Sequence, residues 1–428
     1  MSNQDYKFET LQIHAGQVID ETGACTTPIY QATSYVFKDA KDAAAKFALQ
    51  RPGNIYSRLS NPTTAVLDER IAKLEHGTAG ITLASGLAAV AAAITNIAGE
   101  GDEIISSSTI YGGTFNLFNT TLDAFGIKTH FVDPDDLSNF EKEINDKTKA
   151  IYVETIGNPD INLVDIDALA EIAHSNGLLL IVDNTFATPI NCRPIEWDAD
   201  IVTHSTTKYM DGHAAALGGA IVDGGNFDWL AHADKFPDFC TPDESYHGVV
   251  FAEKFGKEGA FITKATTQLM RDFGSIQSPQ NAFYLALGLE SLHVRMAQHC
   301  KNGLAVAQFL QANPLVEWVR YPDLPGDRYH ALQQKYLPNG SCGVVSFGVA
   351  GGRDQAEALM SRLKVAQVET HVADSHTCCL HPASTTHRQM TDEELQAAGV
   401  EPNLVRFSCG LEDTDDILED LDQALKSL

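Results

Sequence analysis

Basic side chains are scarce in this sequence. It has 30 lysines and arginines against 57 aspartates and glutamates, which gives a formal net charge of −27 at pH 7. No block of lysines or arginines is present that could follow a phosphate backbone or an acidic membrane surface. We therefore expect neither a nucleic acid nor a membrane among its partners.

Long apolar runs are also missing. No uninterrupted apolar segment approaches the roughly 20 residues that are needed to cross a bilayer. The start of the sequence, residues 1–16, has no basic segment followed by an apolar run, which a secretory signal would require. These two features lead us to expect a cytoplasmic protein.

The eight cysteines form no recognisable framework. They are scattered along the chain without a CxxC pair, whereas zinc sites and disulfide scaffolds need defined spacings. We expect reduced, buried thiols and no metal site.

Strand and helix patterns alternate through most of the chain, and 428 residues suffice for two domains. Seven apolar segments are typical of buried strands, at residues 80–84, 102–106, 128–132, 150–154, 178–182, 199–203 and 218–222. Such alternation favours an α/β domain with a mainly parallel sheet and helices on both faces. Strand patterns at 316–321, 343–349 and 404–408 favour a smaller α+β domain after it.

We predict an irregular N-terminal arm over residues 1–62, the sheet domain over 63–275 and the C-terminal domain over 276–428. Helical spacing predicts a helix near 113–125 and one long amphipathic helix over 282–310. A capping pattern at residues 391–394 predicts a further short helix. A long irregular arm is uncommon within a compact domain, so we expect it to pack on something else.

The segment from 178 to 213 carries an acid and a lysine, Asp183 and Lys208, each shortly after a predicted strand. Ligands bind at the carboxyl ends of the strands in open α/β sheets, so both side chains are expected in one crevice. A lysine there could form a Schiff base with an aldehyde whose phosphate is held by the hydroxyls of Ser205 and Thr207. A carboxylate would keep a pyridine nitrogen protonated, and pyridoxal phosphate has these requirements. Taken alone, Lys208 would be read as a surface lysine.

Two loops could complete such a site. Gly86 lies at a strand-to-helix junction, where free backbone N–H groups can bind an anion, although such turns also occur for steric reasons. Tyr111 precedes two glycines and could stack on a planar ring, or it could simply pack in a glycine turn.

Three further positions have open alternatives. Tyr56 and Arg58 share one face of an extended segment and could contact a ligand or only solvent. Asn158 could cap a turn or donate a hydrogen bond to the site. Arg406 lies inside a predicted strand, where its partner could be a substrate carboxylate or one of the many acids of the chain.

Several motifs closely resemble the Cys/Met-metabolism family of pyridoxal-phosphate enzymes, and the resemblance runs nearly end to end. The motifs are YSRLSNPT at 56–63, ASGLAA at 84–89, YGGT at 111–114, GNP at 157–159, DNTFATP at 183–189 and ADIVTHSTTKYMDGH at 199–213. The resemblance implies the fold-type I architecture, with a mainly parallel seven-stranded sheet. It also implies a homodimer as the smallest working unit, commonly doubled to a tetramer.

The resemblance further implies a role for each candidate residue. Lys208 would bind the cofactor and move protons, Asp183 would pair with the pyridinium, and Tyr111 would stack on the ring and assist proton movement. The cofactor phosphate would be bound by the N–H groups of Gly86 and Leu87 and by the hydroxyls of Ser205 and Thr207. Tyr56 and Arg58 would reach the phosphate in the site of a neighbouring subunit, and Tyr56 would also contact the substrate there. Asn158 and Arg406 would bind the cofactor edge and the substrate carboxylate.

Within the family, segments at 218–229, 242–256, 287–300, 381–390 and 393–400 are similar to those of members that replace the acetate of O-acetyl-L-homoserine by sulfide, giving homocysteine for methionine biosynthesis. Alternatives are γ-elimination from methionine or cystathionine, use of O-acetylserine or O-succinylhomoserine, and a protein that binds without catalysis.

Two positions depart from the family pattern. Ala373 stands where a glycine is expected before Asp374, so the nearby loop could be shaped differently. Gly113 stands where methionine γ-lyases carry a cysteine, which weakens the lyase interpretation.

Overall fold

The computed structural model describes residues 6–385 and 400–428. Its larger sheet contains β1 (Ala79–Leu83), β2 (Glu103–Ser107), β3 (Lys128–Val132), β4 (Thr148–Glu154), β5 (Leu179–Asp183), β6 (Ile201–His204) and β7 (Gly219–Asp223). The strand order is β1-β7-β6-β5-β4-β2-β3. Among these strands only β7 runs antiparallel to its neighbours, β1 and β6. The prediction of a mainly parallel seven-stranded sheet is therefore confirmed.

The central strands read as unbroken apolar runs because both faces of the sheet are covered. Side chains alternate between the two faces of a strand. Leu180 and Val182 accordingly pack into one apolar cluster, whereas Leu179 and Ile181 pack into another. Because both faces of the sheet are covered by apolar side chains, the ends of the strands are where polar side chains can contact a ligand.

Helices surround this sheet and the smaller one. The α-helices are Phe8–His14, Ala40–Phe47, Pro62–Leu74, Gly86–Thr95, Gly112–Asn116, Ser138–Glu143, Ile166–Ser175, Thr188–Asn191, Pro237–Cys240, Phe251–Lys264, Arg271–Phe273, Pro279–Leu289, Leu292–Gln311, His330–Tyr336, Arg353–Met360 and Thr414–Lys426. The π-helical segments are Leu117–Leu122 and Ala265–Met270, and the 3-10 segments are Pro194–Trp197, Glu244–Tyr246 and Pro382–Ser384.

The smaller sheet belongs to the C-terminal α+β unit that the strand pattern predicts. Its strands are β8 (Val316–Arg320), β9 (Val344–Val349), β10 (Gln367–Val368), β11 (Cys378–Leu380) and β12 (Leu404–Ser408), in the order β10-β11-β12-β9-β8. A separate apolar cluster, which includes Phe347, Phe407 and Leu421, joins this sheet to its helices. The domain limits near residues 62 and 275 stay a prediction.

The single long helix expected over 282–310 is wrong. Two helices are present instead, and the first ends at Leu289. The guanidinium of Arg295 donates to the carbonyl of Gly288 from Nη2 at 2.6 Å. It also donates to the carbonyl of Tyr209 from Nη1 at 2.7 Å. The buried Arg295 thus binds the carbonyl of Gly288, which in a continuous helix would accept a backbone hydrogen bond from the next turn. The spacing of apolar residues alone does not predict this contact. The helix expected near 113–125 is present, but its second half is π-helical.

The start of the arm contains a helix that the sequence pattern does not predict, Phe8–His14. Arg70 holds its end, donating to the carbonyl of Ile13 at 2.9 Å and to that of Ala15 at 3.0 Å. This part of the arm therefore packs on the chain itself. Its reach to a neighbouring subunit stays a prediction.

The short helix predicted from residue 391 lies outside the described residues. None of the helices within 6–385 and 400–428 combines the length and the apolar character that a membrane crossing needs. Six of the cysteines are buried, Cys240 is half-buried and Cys25 is exposed. The expectation of uniformly buried thiols is therefore wrong for Cys25 and Cys240.

Candidate active site

A cavity of about 240 Å³ lies where the carboxyl ends of β4, β5 and β6 meet the C-terminal unit. Most of the predicted site residues line it: Gly86, Leu87, Tyr111, Asn158, Asp183, Ser205, Thr207, Lys208 and Arg406. Positions spread over more than 300 residues of sequence are thus brought to a single cavity.

Asp183 ends β5, and its carboxylate is held on both oxygens. Thr203, its register partner on β6, donates a hydrogen bond to Oδ2 at 3.1 Å. The backbone N–H of Thr185 donates to Oδ1 at 3.0 Å. These two donors fix the orientation of the Asp183 carboxyl group, which lines the cavity.

Lys208 is half-buried in the turn that follows β6. Burial lowers the pKa of its amino group to about 8, and the positive charge of Arg406 acts in the same direction. Near neutral pH an appreciable fraction of this amine is therefore neutral, as a nucleophile or base requires.

An anion cradle lies at the start of the helix Gly86–Thr95. Ser85 caps this helix by accepting a hydrogen bond from the N–H of Ala88 at 3.1 Å. The N–H groups of Gly86 and Leu87 come first in the helix, where no earlier helical carbonyl can accept them. A Cβ atom on Gly86 would lie 2.5 Å from Cβ of Ser205, so only glycine allows this close approach.

The two hydroxyls predicted for the cradle differ in their contacts. The Thr207 hydroxyl donates a hydrogen bond to the carbonyl of Gly218 at 3.2 Å and accepts one from the N–H of the same residue at 3.1 Å. Ser205 is fixed through its backbone, whose N–H donates to Oγ1 of Thr185 at 2.8 Å. Both side chains line the cavity beside the helix start; the Thr207 hydroxyl would have to turn from the Gly218 carbonyl to donate to a ligand.

Tyr111 stands at the mouth of the cavity with 48% of its surface exposed. Its N–H donates to Oε1 of Glu154 at 2.8 Å. A Cβ atom on Gly113 would lie 2.5 Å from Cε1 of the Tyr111 ring. The ring can occupy this position because residue 113 has no side chain.

Arg406 is buried on β12 and lines the opposite side of the cavity. Its Nη1 donates to Oδ1 of Asn158 at 3.2 Å, and its Nη2 donates to the carbonyls of Thr370 and His371 at 3.2 and 3.3 Å. Within the described residues no carboxylate forms an ion pair with it. Of the two sequence alternatives, the internal salt bridge is therefore not seen there, and Asn158 serves to orient the guanidinium.

Glu154 and His371 are site residues that the sequence reasoning missed. Glu154 is buried at the end of β4, and burial, followed by the charge of Asp183, raises the pKa of its carboxyl well above the usual value. It accepts the N–H groups of Tyr111 and Asn158 and so ties two site loops together. An acid at the carboxyl end of a predicted strand was the available signal. His371 contacts Lys208, and its segment gave no comparable signal.

Tyr56 and Arg58 do not line the cavity. Tyr56 is 42% exposed, and Nη1 of Arg58 donates to the carbonyl of Arg271 at 2.6 Å. Their predicted contact with the site of a neighbouring subunit stays a prediction.

Ala373 adopts a left-handed conformation, with φ at +68°, although this region favours glycine. Its N–H donates to Oγ of Ser408 at 2.9 Å. The alanine therefore takes the backbone conformation that a glycine would adopt easily.

These features fit pyridoxal phosphate. The helix start with Gly86 could accept a phosphate, and the carboxyl group of Asp183 could pair with a ring nitrogen. Lys208 provides an amine whose lowered pKa suits reaction with an aldehyde.

Comparisons with known proteins agree with this chemistry. The family described as "Cys/Met metabolism PLP-dependent enzyme" matches residues 9–426. A homocysteine synthase of Schizosaccharomyces pombe is 48% identical, with 98% of each chain covered. An O-acetyl-L-homoserine sulfhydrylase of Leptospira meyeri is 46% identical, covering 99% of this chain and 98% of its own.

Solved structures give the same result. A crystal structure assigned to an O-acetylhomoserine (thiol)-lyase of Campylobacter jejuni, which carries a pyridoxyl-lysine phosphate group, is 40% identical. It has a TM-score of 0.95 and covers 98% of this chain and 100% of its own. With the family match over nearly the whole sequence, the chain belongs to the Cys/Met metabolism family of pyridoxal-phosphate-dependent enzymes.

Proposed function

We propose that this enzyme makes L-homocysteine from O-acetyl-L-homoserine and sulfide, a step of methionine biosynthesis. The observation that carries the proposal is that Lys208 and Arg406 open into the same cavity. An amino acid can then present its amino group at Lys208 and its carboxylate at Arg406. The names of the relatives, at 46–48% identity, support O-acetylhomoserine as that amino acid.

The reaction exchanges one bond at the γ carbon. The Cγ–O bond breaks, acetate leaves with the bonding electrons, and hydrogen sulfide forms the new Cγ–S bond. Hydrogen sulfide releases one proton, which balances the negative charge of the acetate. When bound, pyridoxal phosphate supplies an electron sink that stabilises negative charge on the carbon beside the amino group.

The residues of the chain would divide the work between binding and proton transfer. Lys208 would hold the cofactor and, once its amine is free, would remove the Cα proton of the substrate. Asp183 would pair with the ring nitrogen of the cofactor and keep it protonated. Arg406 would bind the substrate carboxylate through its guanidinium, a planar donor suited to bidentate contact.

Tyr111 and the cradle complete the proposed assignment. The Tyr111 ring would stack on the cofactor and assist proton movement. The phosphate would bind at the N–H groups of Gly86 and Leu87 and at the hydroxyls of Ser205 and Thr207. Together these contacts would fix the orientation of the cofactor in the cavity.

The main rival is γ-elimination, which releases ammonia and 2-oxobutyrate instead of a new thiol. Gly113 disfavours γ-elimination as the main reaction, because a side chain at this position would displace the Tyr111 ring. A cysteine, as methionine γ-lyases carry, would therefore need a different arrangement of the tyrosine.

A product assay separates these reactions. The purified enzyme is supplied with O-acetyl-L-homoserine and sulfide, and homocysteine and 2-oxobutyrate are quantified by mass spectrometry. We expect homocysteine to dominate, and an excess of 2-oxobutyrate would overturn the proposal. O-succinylhomoserine, O-acetylserine and methionine complete the panel, and Lys208→Ala, expected to be inactive, tests whether the chain catalyses the reaction at all.

We also propose that the working enzyme is a homodimer or a tetramer built from such dimers. Tyr56 and Arg58 would reach the phosphate site of the adjacent subunit. Both residues are exposed on this chain and neither lines its own cavity, which is compatible with that role. The cytoplasm stays our prediction for its location.

A further inference from the structure

The amino group of Lys208 has a neighbour that is absent from the roles proposed above. Nδ1 of His371 lies 3.2 Å from Nζ of Lys208. Thr370 and Val372 line the cavity, whereas His371 between them does not. The imidazole therefore contacts the lysine from outside the space that a ligand would fill.

The imidazole is neutral at physiological pH. Burial lowers its pKa to about 4, and the positive charge of Lys208 contributes in the same direction. The other charged groups near the ring are Asp374 and Asp211, which act in the opposite direction, and Arg406. A neutral imidazole has one N–H donor and one acceptor nitrogen, so its orientation decides what it offers to Lys208.

The carboxyl group of Asp374 lies beside the other ring nitrogen of His371. Its Oδ2 lies 3.3 Å from Nε2 of His371, and both atoms are buried without an aligned hydrogen bond within the described residues. A carboxylate at this distance favours the tautomer with the proton on Nε2. Nδ1 is then left as an acceptor that faces the lysine.

The backbone of His371 connects this contact to the carboxylate-binding side of the cavity. Its carbonyl accepts a hydrogen bond from Nη2 of Arg406 at 3.3 Å and one from Sγ of Cys378, also at 3.3 Å. One residue therefore contacts both the reacting amine and the guanidinium proposed to bind the substrate.

We propose that His371 is a positioning residue for Lys208. Its imidazole, oriented by Asp374, accepts a hydrogen bond from the ε-amino group whenever that group is not bonded to the cofactor, and it keeps the amine directed at the Cα proton of the substrate. The proposal rests on the role of Lys208 given under the proposed function.

The test measures proton removal apart from turnover. The holoenzyme is mixed in D2O with L-2-aminobutyrate, which has no γ leaving group, and loss of the Cα proton is followed by NMR. Affinity for the same amino acid is measured from the change in cofactor absorbance. His371→Leu should slow the exchange by about 10- to 100-fold, since small misplacements of a reacting group have costs of this size. Its affinity should change by less than about threefold, because binding is assigned to other residues.

Conservative and matched variants separate positioning from general damage. His371→Gln keeps a hydrogen-bond acceptor and should restore part of the exchange rate. His376→Leu is the control, because this exposed histidine also contacts Asp374, at 3.2 Å, but has no contact with Lys208 within the described residues; it should exchange at the wild-type rate.

Two results would overturn the inference: wild-type exchange in His371→Leu, or equal losses of affinity and exchange rate, which would indicate a purely structural role. Lys208→Ala distinguishes this failure from that of the larger proposal. If Lys208→Ala also exchanges normally, the role of Lys208 itself is wrong. If Lys208→Ala loses the exchange while His371→Leu keeps it, only the role of His371 falls.

Discussion

Nη1 of Arg406 donates a hydrogen bond to Oδ1 of Asn158 across 3.2 Å. The donor lies on β12 of the C-terminal unit, and the acceptor lies in the loop after β4 of the larger sheet. The guanidinium is thus held from both sides of the cavity while no carboxylate among the described residues neutralises it. A buried cation in this state is a strong site for a substrate carboxylate.

Replacing Arg406 with leucine should weaken binding of the amino-acid substrate. Hydrogen bonds to charged groups contribute about 1.5–3 kcal/mol, so the KM for O-acetylhomoserine should rise by about 10- to 100-fold. The KM for sulfide should change little. Arg406→Lys keeps the charge but loses the planar fork and should be intermediate. Steady-state kinetics with each substrate varied in turn checks this, and an unchanged KM for O-acetylhomoserine would contradict the assignment.

Adding one methyl group at Gly86 should disturb the cradle. The new Cβ would lie 2.5 Å from Cβ of Ser205, so the helix start must move away from the phosphate site. We expect the Kd for pyridoxal phosphate to rise by about tenfold or more, since a single charge-assisted contact has that magnitude. Gly99→Ala is the matched control, because nothing lies within 4 Å of its Cβ position. Equal affinities of the two variants would rule out the cradle.

Gly113→Ala should lower activity without lowering stability. Its Cβ would lie 2.5 Å from the ring of Tyr111, and this half-exposed ring can rotate away at little cost. The melting temperature should stay within about 2 °C, because the ring that must move is half-exposed and its displacement has a small effect on the free energy of unfolding. Homocysteine formation should fall because the ring leaves its position over the cavity. A variant with full activity would show that the placement of Tyr111 is unimportant.

Capture of pyridoxal phosphate by the apoprotein should depend on pH through Lys208. Only the neutral amine attacks an aldehyde, and burial with the Arg406 charge lowers the pKa of this amine to about 8. The capture rate should therefore rise by about tenfold per pH unit below pH 8 and level off above it, as followed by cofactor absorbance. With a lysine of ordinary pKa, the capture rate would continue to rise up to about pH 10.4. In Arg406→Leu the midpoint should move to higher pH, because a nearby positive charge has been removed.

Sharing of sites between subunits can be tested by mixing two inactive variants. Lys208→Ala lacks the reacting amine, and Arg58→Ala lacks the guanidinium proposed to reach the other subunit. If sites are shared, a hybrid dimer contains one intact site, so random remixing should restore about a quarter of wild-type activity. Each variant remixed with itself is the control. No recovery despite verified subunit exchange would contradict the sharing of sites between subunits.

The fold was largely predictable from the sequence, because buried parallel strands and their helices have characteristic patterns of apolar residues. The strand limits of β3 agree, and those of β5 and β7 differ by one residue. The predictions failed where a single side-chain contact, and not the spacing of apolar residues, determines the local structure. Arg295 ends a helix by taking the Gly288 carbonyl, and Arg70 stabilises a short helix in a segment with weak periodicity.

The site was predictable for residues that belong to dense motifs. Asp183 and Lys208 each follow an apolar strand, and the motifs around them are specific. His371 was missed because its significance depends on a contact with a residue 163 positions earlier, which no local pattern records. Glu154 was missed for a different reason: its acidity was visible, but only the strand register places it beside Asp183.

The position of β12 has a consequence for the order in which the enzyme matures. Arg406 lies on this strand, almost 200 residues after Lys208, so Lys208 and the cradle are made earlier. During synthesis, a nascent chain can fold its N-terminal part first and already display the lysine, but it has no guanidinium with which to select a substrate. The guanidinium proposed to select the substrate is thus made after the lysine proposed to hold the cofactor.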